Sequence, residues 1–453
     1  MLPRLRANDS EFQIQLDQLK RKLSPDGSVV SPRSRELTLK LFGAPLSPQQ
    51  VVERICTEVR QRGIDAVLHY ARSLDNPKAD ALSIRVPASD IERAHRRASP
   101  DFLDAIRKIR DNVARFQTAI LHRDVEVCGR ETQPGVRLRQ RYVPLHRVGI
   151  CVPGGAAAYP STLLMTAVPA QCAGVNEIAV VAPPTSYGAY NDDVLATCHE
   201  LGINEVYAVG GAQGVASLAY GIEGIQPVDK IVGPGNLFVA LAKRFVYGDV
   251  DIDSIAGPSE VLVIADKTTH PDYAASDLIA QAEHSPGSSI VLAAEEGILN
   301  DVDKAIEKQL QSLERGALAI ESLREFGASI YCTDEAQVIE LANALAPEHL
   351  QISVDDPVRF AAKIRNAGAQ FLGHYTPVAL GDYAAGPSHV LPTGATARWA
   401  SGLNANHFLR SFSETQFDLE ALRQIEPAVT ELANREGLTA HRESVRIRLR
   451  TAE

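Results

Sequence analysis

RVGICVPGGAAAYPSTLLMTAVPAQCAGVNEIAVVAPP, residues 147–184, decides the fold. RVGIC is a short, mostly apolar run that enters the glycine turn VPGG, which reads as a buried strand and its exit. Pro160 then opens a helix, because the first turn has no use for the N–H that proline lacks. EIAVVA returns as a strand. Working outward, DDVLATCHELG is a helix, EVYAVGG a strand, AQGVASLAYG a helix, KIVGPGN a strand and turn, and LFVALAKRFVYG a helix. This alternation predicts a parallel sheet covered on both faces. A second block repeats it with EVLVIAD, the helix PDYAASDLIAQAEH, SSIVLAAEE, a charged helix near residues 298–315, ASIYCTD, the helix EAQVIELANALAPEH and GAQFLG. The similar step lengths hint at an old duplication.

The predicted organisation is therefore α/β, with two Rossmann-like parallel-sheet domains at 147–257 and 258–394. Before them, residues 1–46 are polar and broken by SPDGS and SPRS, which reads as a loosely attached arm. Residues 47–146 read as mainly helical, since VVERICTEVRQRGIDAVLHYARSLD spaces its apolar residues by three and four. Residues 395–453 lose the alternation and end in two helices. Such a tail either packs on its own subunit or reaches a partner, and the pattern suits both.

Composition narrows the function classes. The chain has 453 residues, 45% of them hydrophobic and 23% charged, as in ordinary globular proteins. A formal charge of −10, with no dense Lys/Arg cluster, argues against nucleic acid as a partner. No uninterrupted apolar run is long enough to span a bilayer, and MLPRLRANDSEFQ lacks the apolar core of a secretory signal. The six cysteines are scattered with no CxxC pair, which suits a reducing cytoplasm.

The residues that bear chemistry cluster in a few segments. Gln281 and His284 stand three apart on a predicted helix and so share a face that can meet one metal ion. A lone QxxH is more often a plain helix end, but Asp382, His389 and His441 offer further ligands in polar, glycine-bounded segments. Glu348–His349 in APEHL places a carboxyl beside an imidazole, a pairing suited to acid–base work near neutral pH; alone it reads more readily as a helix C-terminus. Three turns, VPGG (152–155), VGGAQ (209–213) and VGPGN (232–236), can present backbone N–H groups to phosphate. There is no GxGxxG, and no acidic residue ends EIAVVA to hold a ribose. Ser259, in AGPSEV, does not fit a hydrolase elbow. Cys151 is more readily a packing residue than an aldehyde-attacking thiolate.

Together the segments VPGGAAAYPSTLLMTAVPAQCAGV, VGGAQGVASLAYG, VDKIVGPGNLFVALAKR, IAGPSEVLVIAD, DLIAQAEHSP, APEHL, LGDYAAGPSHVLPT and EGLTAHRESVRIR resemble histidinol dehydrogenase, in family order from about residue 147 to the C-terminus. The resemblance implies an NAD-dependent, zinc-dependent four-electron oxidation of L-histidinol through L-histidinaldehyde to L-histidine. It implies Gln281, His284, Asp382 and His441 as zinc ligands, and Glu348 and His349 as the acid–base pair. Ser259, His389 and Glu436 would contact the substrate, as would Gln281, His284, His349, Asp382 and His441. Cys151, Gln213 and Asn236 fall at NAD-contacting positions. Cys151 stands where many members carry tyrosine, which removes an aromatic surface for the cofactor, and Ser388 replaces a common asparagine. The resemblance further implies a cytoplasmic homodimer with a C-terminal segment crossing to the other subunit. A related zinc dehydrogenase for another polar alcohol, such as a sulfonated diol, and a scaffold without catalysis are the competing readings.

Overall fold

The computed structural model describes all residues except 1, 24–37, 40, 82, 129–132, 156, 285–286, 314–315 and 452–453. The SPDGS and SPRS stretches therefore lie outside the described residues. The strands run β1 (Arg4–Arg6), β2 (Val125–Cys128), β3 (Val136–Pro144), β4 (Arg147–Cys151), β5 (Glu177–Ala182), β6 (Glu205–Ala208) and β7 (Lys230–Val232). They continue as β8 (Asp251–Ile252), β9 (Ser259–Ala265), β10 (Gly287–Ala293), β11 (Ala328–Tyr331), β12 (His349–Ser353), β13 (Ala369–Leu372) and β14 (Leu409–Phe417).

Two parallel sheets carry the architecture. The first has the order β6-β5-β4-β7-β8 and the second β1-β11-β10-β9-β12-β13. All their pairings are parallel. The first winds two strands to each side of β4. The second likewise places β10 and β11 to one side of β9 and β12 and β13 to the other, with β1 added beyond β11, so the two halves share one five-stranded plan.

Alternation along the central strands explains why both faces are covered. In β4, Val148 and Ile150 join one apolar cluster with the helix Pro160–Ala173, while Cys151 joins the cluster on the opposite face. In β9, Val261 and Val263 face the helix Pro271–Ala282, and Leu262 and Ile264 face the other way. Side chains alternate with a period of two, so an unbroken apolar strand fits only between two layers.

Two expectations need correction and a third needs an addition. Residues 2–23 are not a loose arm. β1 pairs with β11, and Phe12, Leu16 and Leu19 of the helix Phe12–Leu23 are buried in the second half's core. The polar residues that suggested an arm are the helix's outer face. The stretch 47–146 is not wholly helical, since β2 and β3 pair antiparallel and β14 adds nine residues along β3, from Leu409↔Pro144 to Phe417↔Val136. Finally, APEHL is not the end of a helix. The helix Glu335–Leu345 stops where Ala346 turns left-handed at φ 46°, and His349 opens β12.

No helix among the described residues is long and apolar enough to cross a membrane. Leu16 is 2% exposed. Leu16→Ala is expected to cost about 2–5 kcal/mol, as for other buried leucines, and to lower the denaturation midpoint of the second half. A loosely held arm would leave that midpoint unchanged.

Candidate active site

A cavity of about 980 Å³ lies where the C-terminal ends of the first sheet's strands meet the N-terminal ends of the second sheet's. Cys151, Gly233 and Asp253 reach it from the first half, and Ser259 and His349 from the second. The two central strands β4 and β7 diverge here into their turns, the usual ligand crevice of a doubly wound sheet. The second sheet departs from that rule by presenting the opposite edge.

The first half supplies a glycine-lined cradle. Gly210, Gly211, Gly233 and Gly235 line the cavity with Gln213 and Asn236. Gly233 has φ 104°, and a Cβ there would stand 2.3 Å from the Cys151 carbonyl oxygen, so no other residue fits. The Asn236 side chain accepts from Phe238 and Val239 and caps the helix Leu237–Val246. The helix Gly211–Tyr220, in contrast, has no side-chain cap, which leaves its first N–H groups available to an anion such as a dinucleotide phosphate. The Gln213 amide is held by Asp75, its Nε2 2.9 Å from the carboxylate. Cys151 is buried, and burial pushes its thiol up to about 12, which denies it the thiolate that a covalent aldehyde mechanism needs.

Lys243 and Asp253 fasten the GPGN turn. Both are almost fully buried and form an ion pair. Asp253 also accepts the Gly233 N–H at 2.7 Å, and Lys243 donates to the Gly233 carbonyl at 3.1 Å. The sequence reading passed over this pair. Its signal was Lys243 standing on the apolar stripe of its helix, between Val239 and Val246, where a lysine must be buried and paired.

The second half supplies the titratable groups. His349 and Glu348 are buried, with the imidazole Nδ1 3.5 Å from a Glu348 oxygen. The main chain of Glu260 holds both: its N–H donates to Glu348 Oε2 at 2.9 Å, and its carbonyl lies 3.0 Å from His349 Nδ1. A carbonyl only accepts, so Nδ1 carries the proton and Nε2 presents its lone pair to the cavity when the ring is neutral. Nε2 is 3.6 Å from Asp382 and has no hydrogen-bond partner.

Burial raises Glu348, against the opposing charge of His349, to about 7. Burial would lower His349, but Glu348 and Asp382 outweigh it and lift the imidazole to about 9. Burial would likewise raise Asp382, yet His349, with His389 and His284, holds its carboxyl below the ordinary range.

Gln281 sits on the last turn of the helix Pro271–Ala282, and His284 lies in the turn just beyond it. Both line the cavity with Asp382 and His389. Helix carbonyls end here, so the local field favours a cation. Asp277 of the same helix accepts the Val378 N–H, which seats the short helix Ala379–Tyr383 and with it Asp382. His389 Nδ1 lies 3.0 Å from the Asp382 carbonyl, and burial lowers the ring below its ordinary value. Ser388 reaches into the first half, donating at 2.7 Å to the Met165 carbonyl. That carbonyl is free because Pro169, four residues on, has no N–H to give it.

One chain thus gathers Ser259, Gln281, His284, Glu348, His349, Asp382 and His389 on one cavity, with Cys151, Gln213 and Asn236 opposite. It does not bring His441 or Glu436 there. Both are exposed on the helical hairpin formed by Leu419–Arg435 and Thr439–Arg450, and neither lines the cavity. Among the described residues, no group of three or more His, Cys, Asp or Glu side chains is placed to hold a metal ion.

A family model described as histidinol dehydrogenase matches residues 46–449. The histidinol dehydrogenase of Rhodopirellula baltica is 60% identical over 441 residues, covering 97% of this chain and 95% of that protein. That of Gloeobacter violaceus is 42% identical over 409 residues, covering 89% and 91%. The crystal structure of histidinol dehydrogenase from Elizabethkingia anophelis superposes with a TM-score of 0.87 at 31% identity, covering 100% of this chain and 98% of that one.

Lys243→Met strands Asp253 as a buried, unpaired charge and is expected to cost about 3–5 kcal/mol in chemical denaturation. Adding Asp253→Asn should recover much of that loss. Equal stability of the single and double variants would contradict the pairing.

Proposed function

Because this chain belongs to the histidinol dehydrogenase family, we propose that its cavity oxidises L-histidinol through L-histidinaldehyde to L-histidine with two NAD⁺, using one zinc ion per site. The observation that carries this reading is the single cavity that joins the glycine cradle to Gln281, His284, Asp382 and the Glu348–His349 pair. The Gln281 carboxamide supports a metal ligand there. It is buried, lines the cavity and stands at the carbonyl end of its helix, so a cation there would take the amide oxygen. The Nε2 donor, which has no hydrogen-bond partner, would be left to engage an acceptor on a bound substrate.

One chain offers a carboxamide, one imidazole and one carboxylate to a metal, so a fourth ligand must come from elsewhere. We assign it to His441 of a second copy, with Glu436 of the same segment contacting the substrate. The exposed Leu432 and Ile447 on that hairpin suit a homodimer. Zinc held this way would act as a Lewis acid toward the substrate's amine and alcohol oxygen, and NAD⁺ would accept the two hydrides.

The chain's own residues then divide the proton work. Ser259 and His389, both lining the cavity, orient the substrate. His349 takes the alcohol proton at Nε2, its ring fixed by the Glu260 carbonyl. Asp382 would be among the residues holding the metal, and a carboxylate so engaged would give less support to the protonated imidazole. In the second oxidation Glu348 draws a proton from water as it adds to the aldehyde, and His349 serves again as base on the hydrate. Scattered cysteines suit a cytoplasmic setting for this chemistry.

His349→Asn is expected to lower both oxidations by about 10²–10⁴, the usual worth of a general base. Glu348→Gln should mainly slow oxidation of the aldehyde. Glu348 works as the carboxylate and sits at about 7, so the aldehyde step should fall as pH drops through that value, and the variant should lose that limb. A Glu348→Gln enzyme equally active on histidinaldehyde would contradict the water-activating role. Chelation should abolish NADH formation and zinc should restore it; full turnover by metal-free protein would refute the Lewis-acid role. Coexpressing His441→Asn with His349→Asn chains, each inactive alone, should recover about a quarter of wild-type activity if sites are shared across a two-fold dimer. No recovery would place His441 in its own chain's site or outside the chemistry.

A further inference from the structure

A second cavity, of about 380 Å³, lies directly behind the first. Ser259, Glu348 and Thr393 line the main cavity, while their chain neighbours Glu260, Pro347 and Gly394 line the second. At three places, then, the wall between the cavities is one residue thick. The far side of the second cavity is formed by Asp17, Lys20 and Arg21 of the N-terminal helix.

The reaction proposed above makes this wall important, and the inference rests on that reading. Alcohol oxidation, RCH₂OH + NAD⁺ → RCHO + NADH + H⁺, releases one proton. Aldehyde oxidation, RCHO + H₂O + NAD⁺ → RCOO⁻ + NADH + 2 H⁺, releases two more. Glu348 and His349 receive these protons while buried, and substrate and dinucleotide occupy the main cavity during turnover. The protons need another way out.

Glu260 stands at that position. Parallel pairing sets His349 beside Val261, so Glu348, just before β12, is brought next to Glu260 of β9. The Glu260 N–H touches Glu348, and its carboxyl lines the second cavity, where Gly394 N–H donates to Oε1 at 2.7 Å. We propose that Glu260 is the proton outlet of the active site, taking the proton that Glu348 collects and passing it to water in the second cavity. In each transfer an O–H bond of Glu348 breaks, one forms on Glu260, and Glu260 then protonates water, so the pair returns to its starting state. Burial raises both carboxyls, to about 7, so each can be protonated near neutral pH. The groups facing Glu260 are Glu348 and His349 at the start of β12 and, across the cavity, Asp17, Lys20 and Arg21.

Glu260→Gln keeps the acceptor for Gly394 but cannot relay a proton. It is expected to lower kcat for histidinol about tenfold, within the range of a lost proton-transfer group, with KM unchanged and the solvent deuterium isotope effect on kcat increased. Inorganic phosphate, small enough for the second cavity and titrating near neutrality, should restore kcat in this variant while leaving the wild type unaffected. Glu260→Asp should be intermediate. Lys20→Trp, which narrows the second cavity and leaves Glu260 in place, should also raise the isotope effect. A Glu260→Gln enzyme with wild-type kcat, or one whose lost activity ignores phosphate, would overturn the outlet, as would a Lys20→Trp enzyme with an unchanged isotope effect. Wild-type protein that forms no NADH from histidinol would remove the functional reading, and the outlet with it. The outlet by itself is judged only on the ratio of variant to wild type.

Discussion

The pairing of β9 with β12 is the constraint on which the site depends. It sets His349 against Val261 and so brings the Glu260 peptide groups within reach of both Glu348 and His349. A slip of one residue would turn His349 to the opposite face of the sheet and bury Leu350 in the wrong layer. That register is fixed by the apolar residues that follow, because Leu350 and Ile352 pack with Leu262 and Ile264 in one cluster. Catalytic geometry here is a by-product of core packing a few ångströms away, and for that reason it is rigid.

The two halves meet with opposite edges, and each edge brings a different field. The first sheet offers strand C-termini followed by helix N-termini, where unpaired N–H groups attract the phosphates of a dinucleotide. The second offers strand N-termini and, at Gln281, the carbonyl end of a helix, where a cation is favoured. A parallel sheet used twice in the same direction would have given two anion sites. Turned edge to edge, the two halves set a field that favours anions against one that favours cations across one cavity. Ser388 ties them at the seam by using the one carbonyl that Pro169 leaves open in a buried helix.

Much of this was legible in sequence, for a physical reason. Strands buried on both faces need unbroken apolar runs, and RVGIC, EIAVVA and EVLVIA are such runs, set off by glycine turns. His349's strand was hidden because apolar spacing carries the helix pattern through Leu345 and the break falls on Ala346, a residue that announces no left-handed turn; Pro347 was the available signal. β3 and β14 were missed because their partners lie some 270 positions apart, although VRLRQRY alternates as a half-exposed strand does. Ligand candidates could be read one by one from polar islands, but their convergence depends on three crossovers that no local pattern contains. Glu260 could not be read at all, since its role lies in its main chain and in a cavity behind the sheet.

The position of His441 carries the same logic beyond one subunit. Gln281, His284 and Asp382 are held by the core of the second half, so their positions are set as soon as that half folds. The C-terminal hairpin is held differently. It is tied to the body through the β14–β3 pairing, and its second helix buries no residue in its own chain. An element with so little attachment gains its free energy of docking only where an apolar surface receives it. If that surface belongs to a second copy, completing the ligand set and forming the dimer are one event, and the affinity of the subunits for each other contributes directly to the affinity for the metal. Activity would then track assembly, because the three side chains proposed as ligands are fixed in one core and the proposed fourth would be supplied by the encounter.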